Sequence, residues 1–150
     1  MSENLLDSRY GMASLVPDGT QHNSIVTNNS GYVKFATANE QSGATNWYSI
    51  RTTGNYGILI NRPGGLFVSI NQDIITSGST GYTSIRLYKN GGVEYYQLVQ
   101  STNGQWDCMH IAGVFPVVAN DYIEVLITGG TITGMDSSSW ANYNFIWNSA

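Results

Sequence analysis

A cysteine and a histidine two positions apart are the residues best suited to nucleophilic catalysis. Cys108 and His110 lie in the apolar-leaning run from Trp106 to Ile111, and the second histidine of the chain is His22. A hydrolase needs a nucleophile, a base and an orienting group in a shaped, partly exposed pocket. Residues two apart on a strand share a face without automatically pointing at each other, and no motif indicates such a pocket. We therefore expect Cys108 to be a small buried hydrophobe, both histidines to be structural, and the chain not to be an enzyme.

Carboxylates are the second group that could do chemistry, because hard cations such as calcium take several oxygen ligands. The candidates are Asp107, Asp121, Glu124 and Asp136. The sequence contains no calcium loop of the DxDxDG type. Asp121 is explained as a turn residue, and Glu124, flanked by two apolar residues, is expected to face solvent. We therefore predict neither a metal site nor a cofactor.

Aromatic side chains form the third group, with 10 Tyr and four Trp in the chain. Such rings stack on sugars and anchor protein interfaces, although sandwich cores use them too. Adjacent Tyr95 and Tyr96 must face opposite sides of a sheet, so one can be core while the other looks outward. For the outward set we predict a subunit interface that contains Tyr88, Tyr96, Tyr122 and Tyr143. Tyr82 and Trp140, the latter after a serine-rich loop, are candidate contacts to a receptor or glycan.

A β-hairpin from Thr83 to Gln100 is the element that most clearly positions these residues. Ile85 and Leu87 alternate with polar or aromatic neighbours, which places apolar groups on one face of a pleat. Asn90-Gly91 supplies the positive φ angles of a tight hairpin turn. The return strand from Val93 onwards is rich in β-branched and aromatic residues, which favour a pleated surface.

The remainder of the chain reads as further short strands between turns. The predicted strands are 32–36, 47–51, 57–61, 66–71, 106–114, 122–128 and 143–147. With 17 Gly and a charged fraction of 11%, the composition suits many strands joined by polar turns. We count about nine or ten strands and no credible helix, which predicts an all-β fold: a sandwich, jelly roll or barrel.

The charge distribution excludes some partners. The formal net charge is -4, and six basic residues are scattered along the chain, so no dense positive patch is available for nucleic acid. No apolar stretch is long enough to cross a bilayer, which predicts no membrane insertion. The first residues lack a basic segment followed by an apolar run, so we expect synthesis in the cytoplasm without a secretory signal.

Residues 1 to 24 show neither the hydrophobic period of a helix nor that of a strand over any sustained length. The apolar residues of this segment are Leu5, Leu6, Met12, Leu15 and Val16. Glycine and proline interrupt them, and we therefore predict an extended N-terminal arm before a single domain over 25–150. The arm is expected either to pack on its own domain or to lie on a neighbouring subunit.

Four segments together resemble the jelly-roll superfamily that contains the globular heads of complement's first component and the tumour-necrosis-factor ligands. These are GILINRPGGLFVSI (57–70), IRLYKNGG (85–92), AGVFPVVANDYIEVLITGG (112–130) and NYNFIW (142–147). They resemble the family's strands and turns in their order and spacing. The resemblance implies a jelly-roll sandwich of about ten antiparallel strands that forms a homotrimer around an apolar and aromatic axis.

The resemblance also implies a function. Tailed phages use this fold for capsid decoration and for fibre knobs, and the sequence, which has no collagen-like repeat and no cysteine pair, is more similar to those proteins. We expect a non-enzymatic virion protein on the outer surface of a capsid, made in the host cytoplasm. It would be a trimeric decoration or short head-fibre protein bound by its arm to the major capsid protein or another virion protein. The alternative is a knob of a tail fibre that binds a host surface receptor or glycan.

Overall fold

The computed structural model describes residues 9–36, 39–40, 47–77, 81–100, 104–136 and 141–149. This part of the chain forms twelve strands and one helix. In chain order they are β1 (Tyr10–Leu15), α1 (Gly19–Asn28), β2 (Ser30–Tyr32), β3 (Asn39–Glu40), β4 (Tyr48–Ile50), β5 (Ile58–Ile60), β6 (Gly64–Ser77), β7 (Tyr82–Lys89), β8 (Gly92–Gln100), β9 (Trp106–Val117), β10 (Tyr122–Thr128), β11 (Thr131–Met135) and β12 (Asn142–Asn148).

The strands form two six-stranded sheets, and every pairing is antiparallel. Sheet A has the order β9-β6-β12-β1-β3, and β11 pairs with the end of β6 beyond β12. Sheet B has the order β4-β5-β10-β7-β8, and β2 also pairs with β10. The predicted all-β jelly-roll sandwich is confirmed.

The core lies between the two sheets and follows the strand alternation. Along β12, Phe145 and Trp147 are fully buried, and Ile85, Leu87 and Val125 of sheet B belong to the same core cluster. The Trp147 ring stacks on Tyr48 with a centroid distance of 5.1 Å. Because each inward residue alternates with an outward one, the sequence of every long strand also fixes what the outer surfaces carry.

The predicted central hairpin is confirmed. β7 and β8 pair along their whole length, with one bulge after Leu87. Asn90 and Gly91 both have positive φ angles, of 52° and 81°, as a two-residue turn requires. The buried face of β7 carries Ile85 and Leu87, as the alternation predicts.

The prediction of no helix was wrong, because residues 19–28 form α1. Ser, Thr and Asn are weak helix formers, so this segment gains its stability from packing. Ile25 is fully buried, His22 is 3% exposed, and the helix packs against β11. Asn29 ends the helix with a φ of 55°, a left-handed conformation that Asn tolerates. No helix of the described ranges is long and apolar enough to span a membrane.

The predicted extended arm is integrated into the domain wherever it is described. β1 pairs with β12 over six residues, and the N-terminal half of α1 follows it. The arm therefore packs on its own domain, one of the two alternatives, and the sandwich begins before residue 25. Leu15 is fully buried, which corrects its assignment as an anchor, whereas Met12 is exposed and Val16 is half-buried. Leu5 and Leu6 lie outside the described residues.

Candidate functional site

The outward face of sheet A carries a continuous row of apolar side chains. Met12, Ile146, Phe67 and Val114 are consecutive cross-strand partners on β1, β12, β6 and β9. Met12, Phe67 and Val114 are 42%, 38% and 65% exposed. With the exposed Tyr10, this row forms what we call the apolar face.

The apolar face is shallow. Two recesses, of about 290 and 250 Å³, open on it, and Phe67 and Ile146 line both. Soluble monomers rarely leave a large contiguous apolar patch in water. A second protein surface therefore fits this face better than a small molecule does.

Polar side chains adjoin the apolar face on the same side of sheet A. His110 Nδ1 lies 2.7 Å from the side-chain oxygen of Asn71. The Asn71 amide donates to the Asn142 side-chain oxygen at 3.1 Å, and the Asn144 amide donates to the same atom at 3.1 Å. These side chains thus satisfy one another's hydrogen bonds. The partner of the His110 ring is the side-chain oxygen of Asn71, and not the Cys108 thiol.

Cys108 is exposed, so its prediction as a buried residue was wrong. On β9 it is Met109 and Ile111 that point into the core, which turns Cys108 and His110 to the outer face. Desolvation and the neighbouring Asp73 raise the pKa of the Cys108 thiol, which favours the protonated, weakly nucleophilic form.

A second site lies on the outward side of sheet B. Three tyrosines, an asparagine and an ion pair surround a recess of about 310 Å³, which we call the tyrosine recess. Its members are Tyr32, Arg51, Asn55, Tyr88, Tyr122 and Glu124. They come from β2, the end of β4, the loop before β5, and strands β7 and β10, so the fold rather than a local motif brings them together.

Glu124 lies at the base of this recess, and its predicted exposure to solvent was wrong. The residue is 3% exposed, and Arg51 Nη1 donates to its Oε1 at 2.7 Å. A carboxylate removed from water needs such a partner. The pair joins positions 73 apart in sequence, so no local pattern indicates it.

A glycine makes room for that ion pair. The Arg51 backbone amide donates to the Gly57 carbonyl, and Gly57 lies directly against the backbone of Ile123 and Glu124. Its φ is 82°, and a Cβ added there would collide with the Ile123 carbonyl oxygen. The missing side chain lets the residue before β5 lie directly against β10, and its carbonyl holds the Arg51 backbone amide there.

The rim of the recess is fixed by the tip of the central hairpin. Asn90 donates from its side-chain amide to Asp121 at 2.7 Å, and its side-chain oxygen accepts from the Tyr122 backbone amide at 3.0 Å. Asp121 in turn accepts from the Val118 backbone amide at 2.9 Å. The prediction of Asp121 as a turn residue therefore agrees with its bonds, and the same bonds hold Tyr122 in place.

The structure separates the four tyrosines that were predicted to form one interface. Tyr88 and Tyr122 line the tyrosine recess, and Tyr96 is 67% exposed elsewhere on sheet B. Tyr143 is fully buried and donates from its hydroxyl to Gln72 Oε1 at 2.6 Å, so it cannot contact another subunit. Tyr82, the predicted receptor contact, is 60% exposed on β7. Trp140 lies outside the described residues.

Sequence reasoning missed the apolar face, although a signal for it was present. Leu66, Val68 and Ile70 alternate along β6 and face inward, so the bulky Phe67 between them must face outward.

Among the described residues, no group of three or more His, Cys, Asp or Glu side chains is arranged to hold a metal ion.

Comparison with known proteins defines the fold class. No protein-family model matches the chain, and no curated protein sequence matches it. Among solved structures, that of murine APRIL at pH 8.0 matches with a TM-score of 0.62 and 12% identity, over 93% of this chain and 99% of that chain. The structure of murine APRIL at pH 8.5 matches with a TM-score of 0.61, also at 12% identity and over the same shares of both chains. The chain therefore has a tumour-necrosis-factor-like jelly-roll fold, and at this identity the likeness concerns the fold alone.

Proposed function

We propose that the protein is a non-enzymatic structural protein of a tailed-phage virion that assembles as a homotrimer. The observation that carries the proposal is the apolar face of sheet A. Phe67 and Val114 project from neighbouring strands into solvent, and burying them against a second copy would remove their apolar surface from water. Closed rotational symmetry is the usual outcome for identical subunits, and the resemblance to the complement-head and tumour-necrosis-factor superfamily is what implies threefold rather than twofold closure.

The interface of this trimer differs from the one expected from sequence. Tyr88, Tyr96 and Tyr122 belong to sheet B, on the opposite side of the sandwich from the apolar face. We therefore move the proposed interface to the apolar face and leave sheet B open to other partners.

The virion role rests on the resemblance to phage decoration and head-fibre proteins and on the segment before β1. Leu5 and Leu6 precede Tyr10, the first residue of β1, and Tyr10 lies at the edge of the apolar face. An anchor that includes Leu5 and Leu6 would give a trimer three points of attachment to a capsid. Simultaneous attachment raises avidity without any stronger single contact.

The mass of the purified protein in solution, measured by light scattering at micromolar concentration, tests the trimer. The expected mass is that of three chains of 16.4 kDa each. A mass of one chain at every concentration would contradict the proposal. Capsid attachment is tested separately, by cosedimentation with phage heads that lack this protein.

A second candidate function is recognition of a host receptor or glycan, as in a fibre knob. The specific observation that favours it is the aromatic outer surface of sheet B, where Tyr82 and Tyr96 are well exposed beside Leu98. In a trimer built on the apolar face, this surface would point away from the subunit contacts.

A further inference from the structure

We propose that the tyrosine recess binds a neutral pyranose sugar. The proposal deepens the recognition function by assigning it a site and a ligand class, and it does not depend on the trimer or on the virion role. The site differs from the candidate contacts Tyr82 and Trp140, which do not line the recess.

The charges of the recess select a neutral ligand. Arg51 and Glu124 are its charged members and neutralise each other through their 2.7 Å contact. An anion would have to compete with Glu124 for the guanidinium, and a cation would have to compete with Arg51 for the carboxylate. A neutral hydroxyl can both donate and accept, so a polyol can use the donors of Arg51 and the amide of Asn55 without separating the pair.

The aromatic walls favour a ring with an apolar side. The Tyr32 and Tyr88 rings lie 6.3 Å apart at an angle of 54°, which forms an open corner rather than a closed stack. The Tyr122 ring is held by the Arg51 guanidinium at 4.8 Å. Tyrosine offers a flat apolar surface with a polar tip, which suits the C–H face and the hydroxyls of a pyranose together.

The recess is built in advance of a ligand. Its loop holds Tyr56 at a φ of 57° and Gly54 at 63°, and a left-handed backbone is strained for a bulky residue such as Tyr56. Strain of this kind clusters at functional sites. On the opposite rim, the bonds between Asn90, Asp121 and Tyr122 fix the hairpin tip.

The size of the recess limits the ligand. Its volume of about 310 Å³ is at the lower end of the roughly 300–1,000 Å³ of small-molecule sites. Gly54 and Gly91 at the rim carry no side chain that could cover it. The recess therefore has room for one sugar ring, and the remainder of a glycan would extend into solvent.

The test is a titration of the intact protein with single monosaccharides, in which binding is monitored through the chemical shifts of the backbone amides. Suitable probes are glucose, galactose, mannose, fucose, N-acetylglucosamine and N-acetylgalactosamine. We expect at least one of them to bind saturably with a dissociation constant of about 1 mM or tighter. The shifted amides should include Tyr32, Asn55 and Gly91.

Variants locate the binding. Asn55→Ala removes an exposed amide from the loop and should leave the fold intact, while the affinity falls by about tenfold, the effect of one lost hydrogen bond. Tyr88→Ala should abolish binding, and its melting curve checks that the variant is folded. The control is Trp106→Ala, an aromatic residue of β9 that is 56% exposed and does not line the recess, and it should bind normally. Tyr82→Ala tests the other candidate contact.

Two results would overturn the proposal. One is that none of the six sugars shifts the recess amides. The other is that Tyr82→Ala loses sugar binding while the two recess variants keep it, which would place recognition at the end of β7. Light scattering on the same samples reports the trimer independently, so failure of the sugar site and failure of the assembly can be told apart.

Discussion

Arg51 Nη1 donates to Glu124 Oε1 at 2.7 Å, and this contact joins the end of β4 to the middle of β10. The Glu124 side chain is 4% exposed and the Arg51 side chain 26% exposed. A buried ion pair adds little stability compared with an apolar pair, but removing one partner leaves an unpaired charge. The pair is therefore best understood as a device that shapes the tyrosine recess.

Arg51→Met should destabilise the fold more than the double variant Arg51→Met/Glu124→Met. The single change leaves a buried carboxylate without its cation and should lower the free energy of unfolding by roughly 3 kcal/mol. The double change removes both charges and should recover most of that loss. Urea unfolding of the three proteins measures this, and equal losses in the single and double variants would contradict it.

Val114→Asp should convert the proposed trimer to monomers without unfolding them. Val114 is 65% exposed on the apolar face, so a carboxylate there remains hydrated in the monomer but opposes burial against a second copy. Leu98→Asp is the matched control, because Leu98 is 53% exposed on sheet B. Light scattering should give one chain mass for Val114→Asp and three for Leu98→Asp, and the reverse pattern would move the interface to sheet B.

The stability of the protein should fall when the pH drops below the ordinary pKa of histidine. Burial lowers the pKa of His22 from 6.5 to about 4, although the nearby Asp136 and Asp18 partly oppose this shift. The unfolded chain therefore binds a proton at His22 before the folded chain does. Stability is fully present above pH 6.5 and is lost as the pH falls towards 4, by up to about 3 kcal/mol.

His22→Leu isolates the contribution of His22 ionisation to stability. Neither ring nitrogen of His22 has a hydrogen-bond partner of ordinary geometry in the described part of the chain, so the change breaks no such bond. The difference in free energy of unfolding between the two proteins, measured from pH 7 to pH 4, should change in favour of the variant as the pH falls. A constant difference over that range would show that the pKa of His22 is the same in the folded and unfolded chains.

Gly57→Ala should cost far more stability than Gly104→Ala. Both glycines have positive φ angles, of 82° and 75°, so both changes carry the strain of a left-handed alanine, about 1 kcal/mol. Among the described residues, a Cβ at Gly104 meets no atom within 4 Å, whereas at Gly57 it meets the Ile123 carbonyl oxygen. Thermal unfolding should therefore show a small loss for Gly104→Ala and a severe loss for Gly57→Ala, and similar losses would contradict the close approach.

Local signals explain which parts of the fold could be predicted from sequence. Asn90-Gly91 determines its turn through the φ angles that those two residues tolerate, and the alternation around Ile85 and Leu87 determines which face is buried. Helix α1 has no such signal, because its stability comes from the burial of Ile25 against strands that are distant in sequence.

The candidate sites depended even more on distant partners. Glu124 has apolar neighbours and an outward position on its strand, which by themselves indicate solvent exposure. It is buried because the fold places Arg51 beside it. Tyr143 and Tyr122 have similar local sequences of mixed polar and apolar residues, yet one is core and the other lines a recess. The alternation along each strand separates them. Tyr143 is in phase with the buried Phe145 and Trp147, whereas Tyr122 is out of phase with the buried Ile123 and Val125.

Deletion of residues 1–8 should separate capsid attachment from folding, whereas deletion of residues 1–15 should not. β1 supplies the buried Ala13 and Leu15 and pairs with β12 over its whole length, so a chain that begins after β1 loses part of the core and one neighbour of β12. The shorter deletion removes Leu5 and Leu6 but keeps β1. We expect it to remain a folded trimer by light scattering and thermal unfolding and to lose cosedimentation with phage heads that lack the protein. If the shorter deletion still joins those heads as well as the full chain does, the anchoring role of this segment is wrong, and attachment must use the surface of the sandwich itself.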